Sequence, residues 1–102
     1  MSKKFRDENT DMLMKAVMSA DSIEECYAFF EDLCSEGEIK MMSQRFHVAR
    51  MLREDAMYSD IVRVTKAGTA TIGNIKGSLA CGTGGFDRAI SRAEATKPGG
   101  EA

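Results

Sequence analysis

A single proline, Pro98, in 102 residues leaves residues 1–97 without an imide to stop a helix. Along that stretch apolar side chains recur every three or four positions, and no segment alternates as a half-buried strand would. Together these features predict an all-α chain. From Phe5 to Ala20, Met12, Leu13, Ala16 and Val17 recur at helical spacing, with Phe5 on the same pattern at earlier turns. Ser22-Ile23-Glu24-Glu25 has the form of a capping box, with Ser22 as cap and Glu25 reaching back. It opens a helix whose face is Ile23, Cys26, Tyr27, Phe30, Leu33 and Cys34. Ser35-Glu36-Gly37-Glu38 repeats the capping pattern and starts a third helix, with a stripe of Ile39, Met42, Phe46, Ala49 and Leu52.

After Glu54-Asp55 the pattern shortens. Residues 59–65 form one brief helix with Ser59 as its expected cap, Lys66-Ala67-Gly68 form a turn, and a second helix runs from Thr69, its expected cap, to Leu79. Gly68 is the residue expected to supply backbone freedom in the turn. Ile61, Ile72, Ile75 and Leu79 fall on the inward side, the pattern of a helix-turn-helix over residues 59–79 whose second helix could lie in a major groove. Gly82-Thr83-Gly84-Gly85 reads as a hinge before a last helix over 86–93, docked by Phe86 and Ile90. Residues 5–93 are therefore read as one domain, and 94–102, with Pro98-Gly99-Gly100, as a disordered tail.

Charge is unevenly distributed. Residues 21–38 hold seven acids and no base, residues 39–53 hold Lys40, Arg45, Arg50 and Arg53 and no acid, and residues 59–92 hold five bases against Asp60 and Asp87. A basic end suits a polyanion, although alternating charged faces also simply solvate a protein. Chemistry that would mark an enzyme is missing. The acids of 21–38 have no His or activated Ser beside them, and Gly82-Thr83-Gly84-Gly85 lacks the Gly-Lys-Ser ending of a phosphate loop. One His and three isolated cysteines give no metal set. Cys26 and Cys34, eight residues apart on one helix, are about 12 Å apart, too far for a disulfide. No run is apolar enough for a membrane span or a signal peptide, so the expected location is the cytoplasm. Tyr27, Phe29, Phe30, Phe46 and six of the eight methionines are more apolar surface than one small chain readily covers, which predicts a partner chain.

Several anchors in order resemble a known family. Glu25-Cys26-Tyr27, Phe29-Phe30-Glu31-Asp32-Leu33-Cys34, Glu38-Ile39, Gln44-Arg45, Val48-Ala49-Arg50-Met51-Leu52 and Thr69-Ala70-Thr71-Ile72 look like the Trp repressor superfamily. Within it, the match is to the short Trp-repressor-related proteins of the YerC/YecD type, across roughly residues 9–92. The resemblance implies an intertwined all-helical homodimer that binds double-stranded DNA as a transcriptional repressor, with a helix-turn-helix at each end. Carried over by position, it places DNA contacts at Ser59, Thr69, Ala70, Thr71 and Gly73, to which Asn74 and Lys76 of the same helix are added. It matches Arg45 and Ser78 to residues that hold the tryptophan corepressor. Asn74 stands where a second arginine would clamp that ligand, so L-tryptophan is not expected to act as a strong corepressor, and no other cofactor is expected. Ser59 and Gly73 replace longer readers, and Lys66 stands where related chains often have glycine. With Lys76 the one base on the second helix, the alternative is a degenerate helix-turn-helix that binds another protein.

Overall fold

The computed structural model describes residues 5–95, and within them it contains six helices and no strand. They are α1 (Glu8–Met18), α2 (Ile23–Leu33), α3 (Glu36–Arg53), α4 (Tyr58–Thr65), α5 (Thr69–Cys81) and α6 (Gly85–Ala95). The all-α reading is what the structure shows. Its helices gather into two compact units, one ending at Ser35 and one beginning at Glu36.

The first unit holds α1 and α2. Helix α1 starts later than its apolar spacing suggests, because Asp7 caps it: the carboxylate accepts from the Thr10 N–H at 2.8 Å, and Phe5 lies outside the helix. The Ser22 hydroxyl accepts from the Glu25 N–H at 3.1 Å, as the capping pattern predicts. Glu25 reaches back one residue further than expected, to the N–H of Asp21 at 2.9 Å. Neither helix buries a residue. Met12, Met18, Ile23 and Tyr27 all remain more than half exposed.

The second unit holds α3 to α6 around a small, fully buried core. Val48 and Ala49 from α3, Ile61 from α4, Ile72 and Ile75 from α5 and Ile90 from α6 are at most 1% exposed. Each large aliphatic side chain there contributes roughly 2 kcal/mol of burial. Phe46, Leu52, Leu79 and Phe86 pack around them, the Phe46 and Phe86 rings 6.4 Å apart. Ile61, Ile72, Ile75, Leu79, Phe86 and Ile90 occupy the inward positions that their spacing predicts. Val48 joins them because α3 packs against α4, α5 and α6, so its buried arc is wider than one stripe. Met42, by contrast, stays exposed. Ion pairs Arg50–Glu94 (3.4 Å) and Arg53–Asp87 (3.2 Å) also join α3 to α6.

Helix α6 runs one residue earlier and two later than its pattern suggests, so Glu94 and Ala95 are helical. The rest of the expected tail lies outside the described residues. At the C-terminus of α3, the Ala56 N–H bonds to the Met51 carbonyl and the Asp55 N–H to the Leu52 carbonyl, both at 3.0 Å. That closure places Asp55 in the left-handed region (φ 61°), which Asp tolerates better than most side chains. Between α5 and α6, a Cβ on Gly82 would strike the Ser78 carbonyl, so glycine is required there.

Candidate nucleic-acid interface

Helices α4 and α5, with the turn 66–68, form a helix-turn-helix whose boundaries differ at both expected caps. Met57 precedes α4 and Gly68 precedes α5, and neither start has a side-chain cap. Ser59 and Thr69 are instead helical residues. The turn also departs from expectation. Gly68 is extended (φ −76°, ψ 161°), a conformation open to any residue, whereas Lys66 takes the left-handed one (φ 65°, ψ 12°). Lys66 can do so because the surroundings fix it. Its N–H bonds to the Val62 carbonyl at 2.9 Å. The buried Thr65 hydroxyl donates to the Ile61 carbonyl at 2.7 Å and accepts from the Ala67 N–H at 3.1 Å. From α3, Gln44 Nε2 donates to the Thr65 carbonyl at 3.0 Å.

This anchoring decides which side of α5 faces outward. Ile72, Ile75 and Leu79 hold its inner face, so helical spacing puts Ala70, Gly73, Asn74 and Gly77 on the opposite one. Thr69 and Lys76 lie along one flank, Thr71 and Ser78 along the other. All eight are exposed except Thr71, which is half-buried. Asn74 is thus the one long polar side chain on the outermost face. The glycines there are not demanded by packing: a Cβ on Gly73 or Gly77 would meet nothing within 4 Å.

At the start of α5, intrahelical bonding begins with the Ile72 N–H to the Gly68 carbonyl (3.1 Å). The N–H groups of Thr69, Ala70 and Thr71 therefore point out of the helix end, where the helix dipole favours negative charge. Lys76 sits with its Nζ 5.6 Å from the Tyr58 ring centroid, a cation–π contact that ties the middle of α5 to the start of α4, next to Ser59. Arg63 is paired with Asp60 at 3.1 Å, and Lys66 is exposed. The sequence-read DNA positions Ser59, Thr69, Ala70, Thr71, Gly73, Asn74 and Lys76 are therefore all on this one unit.

The residues read as a ligand site are less well gathered. Asn74 and Ser78 are one turn apart on α5, but Arg45 is an exposed residue of α3. Its neighbour Gln44 is the residue that reaches the turn. An open hollow of about 380 Å³ beside Lys76 is lined by Leu52, Leu79 and the Arg53–Asp87 pair among others, and none of Arg45, Asn74 and Ser78 lines it. Thr65 and Gln44 were not legible as turn-setting residues, although Gln44 stands among the family anchors. Among the described residues no group of His, Cys, Asp and Glu is placed to hold a metal ion, and no helix is long and apolar enough to cross a membrane.

Fold and site together define a helix-turn-helix protein. Comparison with known proteins narrows that class: residues 8–94 match the Trp repressor protein family, and the chain belongs to it. It is 42% identical over 94 residues to the uncharacterised protein YerC of Bacillus subtilis (strain 168), an alignment covering 92% of this chain and 90% of that one. Among solved structures it is similar to a TrpR-like protein from Eubacterium eligens ATCC 27750, with 42% identity and a TM-score of 0.85, covering 91% of this chain and 96% of that one. A protein described as a candidate Trp repressor from Staphylococcus aureus matches with 37% identity and a TM-score of 0.83, over 89% and 91% of the two chains.

Proposed function

We propose that the protein is a cytoplasmic transcriptional repressor that binds double-stranded DNA as a homodimer, and not an enzyme. The observation that carries this reading is the presentation of α5. Its apolar face is fixed on the core, its uncapped N-terminus is exposed, and small or polar residues line its outer side. In a major groove, Ala70, Gly73 and Gly77 would let the helix backbone approach closely. Asn74 has the donor–acceptor pair that matches adenine. The N–H groups of residues 69–71, the Thr71 hydroxyl and Lys76 suit phosphates, which position without reading sequence. A helix with so few long readers relies on phosphate contacts and DNA shape for much of its selectivity.

The dimer part of the reading is supported by α1 and α2, which expose Met12, Met18, Ile23 and Tyr27 and bury nothing. A second copy of the chain is the partner that would cover such a face symmetrically. L-Tryptophan is not a strong corepressor in this account, because Asn74 cannot supply the charged clamp of an arginine. A second reading, a protein-binding module, is favoured by Met57, Val62 and Val64, which leave α4 with exposed apolar groups. The two readings separate in a salt titration of duplex binding. A dimer that neutralises about 6 phosphates should lose orders of magnitude in affinity between about 50 and 200 mM salt. Lys76→Ala should reduce the slope by about 1 per lysine–phosphate contact. Salt-independent or absent duplex binding favours the protein-binding module.

A further inference from the structure

The turn of the helix-turn-helix is held by Ala67, buried in the core, and by a set of polar groups. The Thr65 hydroxyl bonds to the Ile61 carbonyl and the Ala67 N–H, which leaves the carbonyl of Thr65, the last in α4. A helix's final carbonyls have no intrahelical donor, and a buried one needs another partner. Thr65 is 8% exposed, and its carbonyl receives Gln44 Nε2 at 3.0 Å from a residue 21 positions away. Gln44 is half-buried on the same helix that carries Val48 and Ala49, both fully buried in the core. Arg45, one residue on and so turned by about 100° around α3, is exposed.

We propose that Gln44 is a positioning residue that latches the turn, and with it the start of α5, onto α3. The orientation of the reading helix is then set by the chain itself rather than by a bound small molecule. The functional consequence rests on the DNA-binding reading, but the latch is a property of the free protein and is measured there.

Amide hydrogen exchange followed by NMR on the full chain tests it, with duplex affinity measured in parallel. Gln44→Met keeps length and volume without a donor, and Gln44→Glu keeps the shape but offers an acceptor to a carbonyl. Each should speed exchange at the hydrogen-bonded amides of Ala67 and Ile72 by about five- to ten-fold, the loss expected for one net hydrogen bond. Amides around Val48 and Ile90 should keep wild-type rates, and duplex affinity should fall by a similar factor. Gln44 is the chain's one glutamine, so its side-chain NH₂ can be followed in the wild type without any substitution. It should exchange more slowly than that of the exposed Asn74. L-Tryptophan at millimolar concentration should leave exchange at Ala67 and Ile72 unchanged.

Unaltered exchange in both variants, or an equal rise across residues 36–95, would overturn the latch. So would a Gln44 NH₂ as labile as that of Asn74, or a slowing at Ala67 and Ile72 on adding L-tryptophan. If the wild type binds no duplex, the DNA-binding reading fails while the exchange rates still decide the latch.

Discussion

Replacing Lys66 with glycine should stabilise the protein, because Lys66 and not Gly68 holds the left-handed conformation of the turn. At φ 65° and ψ 12° an L side chain crowds the following carbonyl, at a cost of roughly 1–2 kcal/mol. Glycine removes that cost but adds roughly 0.5–1 kcal/mol of conformational entropy to the unfolded chain. The difference is a gain centred on about 0.75 kcal/mol, or a rise of about 3–6 °C in Tm for a domain of this size. Urea unfolding at fixed protein concentration should show a higher midpoint with an unchanged m-value. Gly68→Ala is the matching control. Gly68 is extended, and a Cβ there meets nothing within 4 Å. Alanine's poorer capping and its lower unfolded-state entropy then nearly cancel, leaving a change within about 0.5 kcal/mol. Should Lys66→Gly destabilise while Gly68→Ala costs more than about 1 kcal/mol, the assignment of the turn is wrong and Gly68 is its left-handed residue.

Gly73→Ala and Gly77→Ala should each stabilise α5 by up to about 1 kcal/mol, since alanine is the better helix former and space is open at both sites. Both should weaken duplex binding in an anisotropy titration, and undiminished affinity would show that DNA does not approach that face closely. Asn74→Ala should relax selectivity at one A·T position, losing about 1–3 kcal/mol of discrimination, as read by competition between duplexes differing at that base pair. Hydrogen bonds from Thr10, its backbone N–H first, hold the Asp7 carboxyl below the usual carboxylate range. A lowered folded-state value means that the stabilisation of α1 is present above the unfolded value and is lost as pH falls through the folded one. Protection of the Thr10 and Asp11 amides, taken relative to the unstructured-chain rate at the same pH, should therefore fall in acid for the wild type, while Asp7→Asn, which caps without ionising, should lack that step.

Helix number and core face were legible because they depend on local periodicity. Ile61, Ile72 and Ile75 are inward on any helix drawn through them, and Ser22 caps the residues that follow it. Where contacts are distant in sequence, the reading fell short. Thr65 and Gln44 hold the turn across 21 residues, and no local pattern announces that bond. Turn chemistry points elsewhere in a specific way: glycine is the usual left-handed residue, but the local bonds of Thr65 to Ile61 and Ala67, with the one tertiary bond from Gln44, hold that conformation at Lys66 instead of Gly68. At α1 the signal was present, since Asp7 precedes Thr10 by three residues, but the apolar Phe5 drew the helix start too early. Of the site, the positions on α4 and α5 were legible from the motif. Their division into outer face and flanks required knowing that Ile72, Ile75 and Leu79 all face the core.

Selection of bound sequences from a random duplex pool, with the purified protein near physiological salt, tests the central claim most directly. The account predicts enrichment of a site with two-fold symmetry, A·T pairs at the positions met by Asn74, and half-sites one helical turn, roughly 34–36 Å, or a multiple of it apart. Recovery of sequences no different from the starting pool would contradict it, and would leave the exposed apolar surface of α4 as the functional face of this helix-turn-helix.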